Sequence, residues 1–169
     1  MIKQRKLKEE VVNCIMLSFI DLLKVKKFDN ISIVEIIKHA GVSRNSFYRN
    51  FMDKEDILTR YIERETVNFV SQSQNIDLTA PWDVYVEKVL LHMYEYKEVT
   101  SILYKNNRLY IISNIFDKVV QQKVPSLDKA HAYFLSGGMF NIFYHWAADD
   151  YKQNPKEIAK NFSSSVLGI

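Results

Sequence analysis

From Ile31 to Leu58 the chain reads ISIVEIIKHAGVSRNSFYRNFMDKEDIL, and this stretch limits the fold more than any other. Two short helical patterns flank the tight turn Ala40-Gly41-Val42-Ser43. A glycine at the corner and a short second helix rich in polar donors are the requirements of a helix-turn-helix. Ser32 followed three residues later by Glu35 predicts a capping box at the first helix. Ile33, Ile36, Ile37 and Ala40 form its inward stripe, and Gly41 stops it as a left-handed cap. Ser43 caps the second helix, from which Phe47 and Phe51, four residues apart, point inward.

The rest of the chain also reads as helix. Only four glycines and three prolines occur in 169 residues, which favours long helices over a many-turned β fold. The first helix is expected from about Lys6 to Lys26, with Val11, Ile15, Phe19, Leu22 and Leu23 at helical spacing. A fourth starts at Asp53 and continues to about Val70. The polar stretch Ser71 to Pro81 (SQSQNIDLTAP) marks a boundary between two modules, residues 1–70 and 71–169. Further helices are expected at about Trp82–Lys97, Val99–Tyr104, Arg108–Gln122, Leu127–Asp149 and Pro155–Leu167. Asn154 as N-cap, Pro155 at the first helical position and Glu157 mark the start of the last. The predicted class is all-α: an N-terminal three-helix helix-turn-helix domain followed by a second helical module, to which the family resemblance described below assigns ligand binding and dimerisation.

Charge agrees with a nucleic-acid partner for the first module. Residues 1–60 carry 12 Lys/Arg against 8 Asp/Glu, net +4, whereas residues 61–169 carry 11 against 12, net −1. The single cysteine, Cys14, excludes an intramolecular disulfide and a Cys-rich zinc site. His92, His131 and His145 have no partners at metal-ligand spacing. No phosphate loop, nucleophile elbow or paired-carboxylate motif is present, so neither enzymatic activity, a metal nor a cofactor is expected. The apolar stretch after the basic N-terminus is interrupted by Asn13 and Asp21, so neither a signal peptide nor a membrane span is read, and a cytoplasmic location is expected.

With Phe47 and Phe51 turned inward, Arg44, Asn45, Ser46, Tyr48 and Arg49 are left for the outer face of the second helix. Arginine can grip guanine O6/N7 and asparagine adenine N6/N7 in bidentate fashion. Hydroxyls suit phosphates, as do donors at helix starts, where Ser32, Ser43 and Lys54 stand. Lys3, Arg5 and Lys6 form a candidate basic arm. The plainer alternative is an ordinary helical corner with a solvated polar face.

The stretch resembles the DNA-binding domain of the TetR/AcrR-type transcriptional regulators. It matches their pattern at Ile36, Ala40, Gly41, Val42, Ser43, Phe47, Tyr48, Phe51, Lys54, Glu55 and Ile57/Leu58, over about 28 of 169 residues. It departs at Ser32 (often Thr), Ile37 (usually Ala), Asn45 (often Gly), Ser46 (often Thr) and Asn50 (aromatic or His). The resemblance implies that Ser32, Tyr48 and Lys54 hold phosphates. It also implies that Arg44, Asn45, Ser46 and Arg49 face the major groove of a palindromic double-stranded operator.

Ser136-Gly137-Gly138 lies inside a strong helical pattern, where each glycine costs about 1 kcal/mol relative to alanine. Close approach of another helix, or a local kink, would account for the pair. TetR-type proteins are similar here, pairing their last two long helices with those of a second subunit. This implies a homodimer, with Phe134, Gly137, Gly138, Ile142, Trp146 and Phe162 as candidate contacts. Tyr85, Val89, His92 and Tyr96 recur on one helix face, followed by Tyr104, Tyr110 and Phe116. By the same resemblance, Tyr85, His92, Tyr96, Tyr104, Tyr110 and Phe116 line an effector pocket; a packed core with satisfied hydroxyls is the alternative. The function implied is a repressor released from DNA by a small-molecule or protein effector. The rival is an adaptor of the same fold that answers to a partner protein and has lost operator binding.

Overall fold

The computed structural model describes residues 2–72, 82–123 and 128–167, with side chains for all of these except 2–5, 69–72, 82, 85, 123 and 165–167. The elements among these residues are helical throughout. Contacts divide the chain into two units, Met1–Arg64 and Glu65–Ile169, so that the division falls inside a helix rather than in the polar stretch after it. Residues 73–81 of that stretch lie outside the described residues, as do the side chains of Lys3, Arg5 and Tyr85.

In the first unit, α1 (Ile2–Val25) buries Ile15, Met16, Phe19, Ile20, Leu22 and Leu23, a stripe repeating at three and four residues. A single 3₁₀ turn, Phe28–Asn30, leads into α2 (Ile33–Ala40). Ser32 caps α2 by accepting the Glu35 amide at 3.1 Å. The predicted capping box closes on one side only. The Glu35 carboxylate pairs with Lys26, and this partner lowers its pKa below the ordinary carboxylate value. Gly41 ends α2 at φ +65°, where its amide reaches back to Ile37 and Lys38 carbonyls. A Cβ there would have space, but any other residue would sit strained in the left-handed region. Ser43 caps α3 (Arg44–Asn50), and α4 (Lys54–Gln72) follows. Asp53 accepts the Asp56 amide and the Asp56 carboxylate accepts the Met52 amide, so reciprocal bonds hold the start of α4. Phe47, Phe51, Ile57, Leu58 and Tyr61 complete the core.

The second unit comprises α5 (Trp82–Glu95), α6 (Lys97–Lys105), α7 (Tyr110–Lys123), α8 (Lys129–Ala148) and α9 (Pro155–Leu167). Helix α5 packs on α9, and α8 packs on α6 and α7. Val86, Leu90, Leu103, Ile112, Met139, Phe143 and Trp146 form its core. Asp128 caps α8 by accepting the Ala130 and His131 amides. Asn154 accepts the Lys156 amide at 2.9 Å ahead of Pro155, as the sequence predicts. The α8–α9 corner is the unexpected element. Asp150 and Tyr151 adopt φ +55° and +58°, and Tyr151 is buried against Phe143, Trp146 and Tyr94. Helix α8 runs unbroken through Gly137 and Gly138. Among the described residues, no helix is long and apolar enough to cross a membrane.

Candidate nucleic-acid interface

Helix α3 is seven residues long, too short to persist alone, so its geometry is borrowed from what it packs on. Phe47 has no exposed surface and Phe51 almost none, and their rings lie 6.1 Å apart. This pair roots α3 in the unit and decides which side faces out. Arg44, Asn45, Tyr48 and Arg49 are exposed, Tyr48 to 59% with its ring edge resting on Phe47. One short helix thus presents two guanidinium forks, an amide and a phenol to a surface that an α-helix can carry into a major groove.

The remaining expected contact residues are tied to the scaffold. Ser46 is half-buried; its amide donates to Ser43 Oγ at 3.1 Å, and the two hydroxyl oxygens lie 2.9 Å apart. If Ser46 donates its hydroxyl to Ser43, both lone pairs of Ser43 are filled and the Ser43 O–H is left as an outward donor. Asn50 donates to the Ser46 carbonyl at 2.7 Å. Ser32 has an exposed side chain whose oxygen takes the Glu35 amide, leaving its O–H to donate. Lys54 is tied to the scaffold as well: its ammonium donates to the Phe28 carbonyl at 2.8 Å and the Ile31 carbonyl at 2.7 Å. Those contacts span 26 and 23 residues, and no local pattern announces them.

In the second unit His92 and Tyr96, two of the expected effector residues, lie in ring contact. Tyr96 is the single residue between α5 and α6. Its hydroxyl donates to Glu65 at 3.0 Å and its ring meets His92 at 4.8 Å. His92 is partly buried, and that burial pushes its imidazole pKa below the ordinary value against the opposing pull of Glu95 and Glu65. Tyr104 lies instead against Tyr144 of α8, Tyr110 is exposed and Phe116 is half-buried.

An open groove of about 740 Å³ lies along α8 and α9, and His92, Tyr96, Tyr104, Tyr110 and Phe116 do not line it. Phe134, Gly138, Ile142, Trp146 and Phe162, five of the six expected dimer contacts, do. Phe134 is 62% exposed, whereas Trp146 is almost fully buried, its indole N–H donating to the Gln153 carbonyl at 2.9 Å. An added Cβ on Gly138 would meet Phe162 at an ordinary 3.5 Å, and one on Gly137 would meet nothing within 4 Å. Crowding within the chain therefore does not explain the glycine pair.

Residues 20–61 match the family model of the bacterial regulatory proteins of the tetR family, so this segment is a TetR-type helix-turn-helix. No curated protein matches the chain significantly. Among solved structures, the fold resembles the dihydroxyacetone kinase operon activator DhaS (16% identity, 94% of each chain, TM-score 0.57). It also resembles a TerR/AcrR-family transcriptional regulator from Aquifex aeolicus VF5 (20% identity, 93% of this chain and 98% of that one, TM-score 0.57). A third is the transcriptional regulator FadR from Bacillus subtilis in complex with stearoyl-CoA (18% identity, 90% of this chain and 95% of that one, TM-score 0.55). The chain thus has the fold of the TetR-type transcriptional regulators.

Proposed function

We propose that the protein is a dimeric, sequence-specific DNA-binding repressor, without enzymatic activity, whose hold on a palindromic operator is relieved by an effector acting on the second unit. The observation that carries this reading is α3, which turns Arg44, Asn45, Tyr48 and Arg49 outward from the Phe47–Phe51 anchor. One such helix supplies little specificity, and two half-sites related by a two-fold axis double it. Ser32, Ser43 and Tyr48 contribute phosphate contacts; Arg44, Asn45 and Arg49 read base edges, with Ser46 supporting Ser43.

Selection from random duplexes at two salt concentrations tests this. The full chain is expected to enrich a palindromic site and to lose affinity steeply with salt. Arg44→Ala should cost about 1–3 kcal/mol and relax preference at one position of each half-site. No enriched site at either salt would sink the DNA-reading proposal and leave the adaptor reading in front.

The groove on α8 and α9 is the proposed seat of the second copy. Gly137→Ala separates this from a purely internal role. In the monomer the new methyl meets nothing, so helix propensity alone should stabilise the fold by roughly 0.5–1 kcal/mol. If α8 meets its copy there, the same methyl should weaken dimerisation. A raised melting point with unchanged dimer affinity in sedimentation would remove Gly137 from the interface. The effector site is proposed around His92 and Tyr96, and the FadR neighbour, solved with stearoyl-CoA, makes acyl-CoA thioesters a reasoned first ligand set.

A further inference from the structure

Three features of Lys54 converge on one place. Its ammonium donates to the Phe28 and Ile31 carbonyls and lies 4.6 Å over the centroid of the Phe28 ring. Those residues bracket the 3₁₀ turn, in which the Ile31 amide also donates to the Phe28 carbonyl at 3.3 Å. Phe28 is held in the core with its ring edge-on to Phe19, and Ile31 is buried to 1% exposure. Ile31 immediately precedes Ser32, the cap of α2. The clamp thus runs from the first residue of α4 to the residue that sets the entry angle of α2.

An ammonium has three donors, and a phosphate contact needs one aimed outward. Here two are taken by carbonyls at short, charge-assisted distances, and an aromatic face covers another side of the cation. Withdrawing the ammonium towards DNA would leave both carbonyls and the ring without it. We propose that Lys54 is a positioning residue for DNA binding, which fixes the Ser32 end of α2 against the phosphate backbone through the turn carbonyls and is not itself a phosphate ligand. This rests on the DNA-reading proposal above.

The test compares the full chain with Lys54→Met in two arms, after circular dichroism has shown that the variant folds; Lys54→Gln replaces it if it does not. Without DNA, amide exchange at Ile31, Glu35 and Ile36, whose bonds define the turn and cap, is expected to quicken roughly tenfold. With the duplex that the unmodified protein selects, affinity should fall roughly tenfold. The slope of log affinity against log salt should stay unchanged, because no cation–phosphate contact is removed. In a Ser32→Ala background the Lys54→Met loss should largely vanish, a coupling that general destabilisation would not produce. A slope lowered by about 0.9 with exchange unchanged would make Lys54 a direct phosphate ligand and overturn the proposal, as would losses that add independently of Ser32. If the unmodified protein enriches no duplex, the DNA reading falls separately. Unchanged exchange at those amides then overturns the clamp, and quickened exchange upholds its structural half.

Discussion

Phe47→Ala is expected to destabilise the first unit by about 3–5 kcal/mol and to abolish specific DNA binding, although residue 47 touches no DNA. The ring has no exposed surface and sits in the middle of a seven-residue helix. It packs at 5.2 Å on Tyr48 and 6.1 Å on Phe51. Alanine would remove the transfer free energy of the ring and leave a cavity that α3, capped at Ser43 and followed at once by α4, has little freedom to fill. A domain stable by only about 5–15 kcal/mol loses much of its margin by such a change. Tyr48→Ala is the control, since that side chain is largely exposed. Its stability cost should stay within about 0.5 kcal/mol while phosphate contact is lost and all duplexes bind more weakly. Denaturant melts followed by far-UV circular dichroism, with amide exchange localised to α2 and α3, measure the first effect, and duplex titration measures the second. Equal stability losses for the two variants would mean that α3 is not rooted through Phe47.

Much of this first unit was legible in the sequence because its signals are local. Ser32 and Ser43 cap helices by bonds spanning three residues. Gly41 is required by a single backbone angle, and the Phe47–Phe51 spacing places both rings on one face. Periodicity tells that a residue is buried; it does not say against what. Lys54 occupies the matching position of the family pattern, but its partners lie 23 and 26 residues away. The Tyr85, His92 and Tyr96 stripe assumed one uninterrupted helix, whereas α5 ends at Glu95 and α6 begins at Lys97. Tyr96, at the break, keeps its ring on His92 and places its hydroxyl on Glu65. The paired glycines signalled a constraint, but only coordinates distinguish Gly138, beside Phe162, from Gly137, beside nothing within 4 Å.

Tyr151 carries the second large effect, and nothing in the sequence near Asp150-Tyr151 suggested it. Two consecutive non-glycine residues at φ +55° and +58° cost of order 1–3 kcal/mol each, and persist only where packing over-determines them. Here the packing is visible: the Tyr151 ring meets Trp146 edge-on at 5.0 Å and Phe143 at 6.5 Å, and its hydroxyl is hydrogen-bonded to Thr100. Tyr151→Ala is expected to lose about 3–5 kcal/mol from the second unit, because the ring is lost while the strained turn stays. Tyr151→Gly should do somewhat better than alanine by relieving the turn. Tyr151→Phe should cost only about 1 kcal/mol, since Thr100 retains the Tyr96 and Lys97 carbonyls. Burial holds the Tyr151 phenol pKa above its ordinary value of 10.0. The neutral folded form therefore contributes stability that is fully present below the unfolded pKa and lost as pH rises through the raised folded value. The phenylalanine variant should lack that alkaline loss. Trp146, in ring contact with Tyr151, makes fluorescence melts the direct readout. Because the same corner joins the two helices that line the groove, light scattering on Tyr151→Ala at a temperature where it remains folded should also show a weakened dimer. An unmoved melting midpoint would mean that the corner is decoration rather than core.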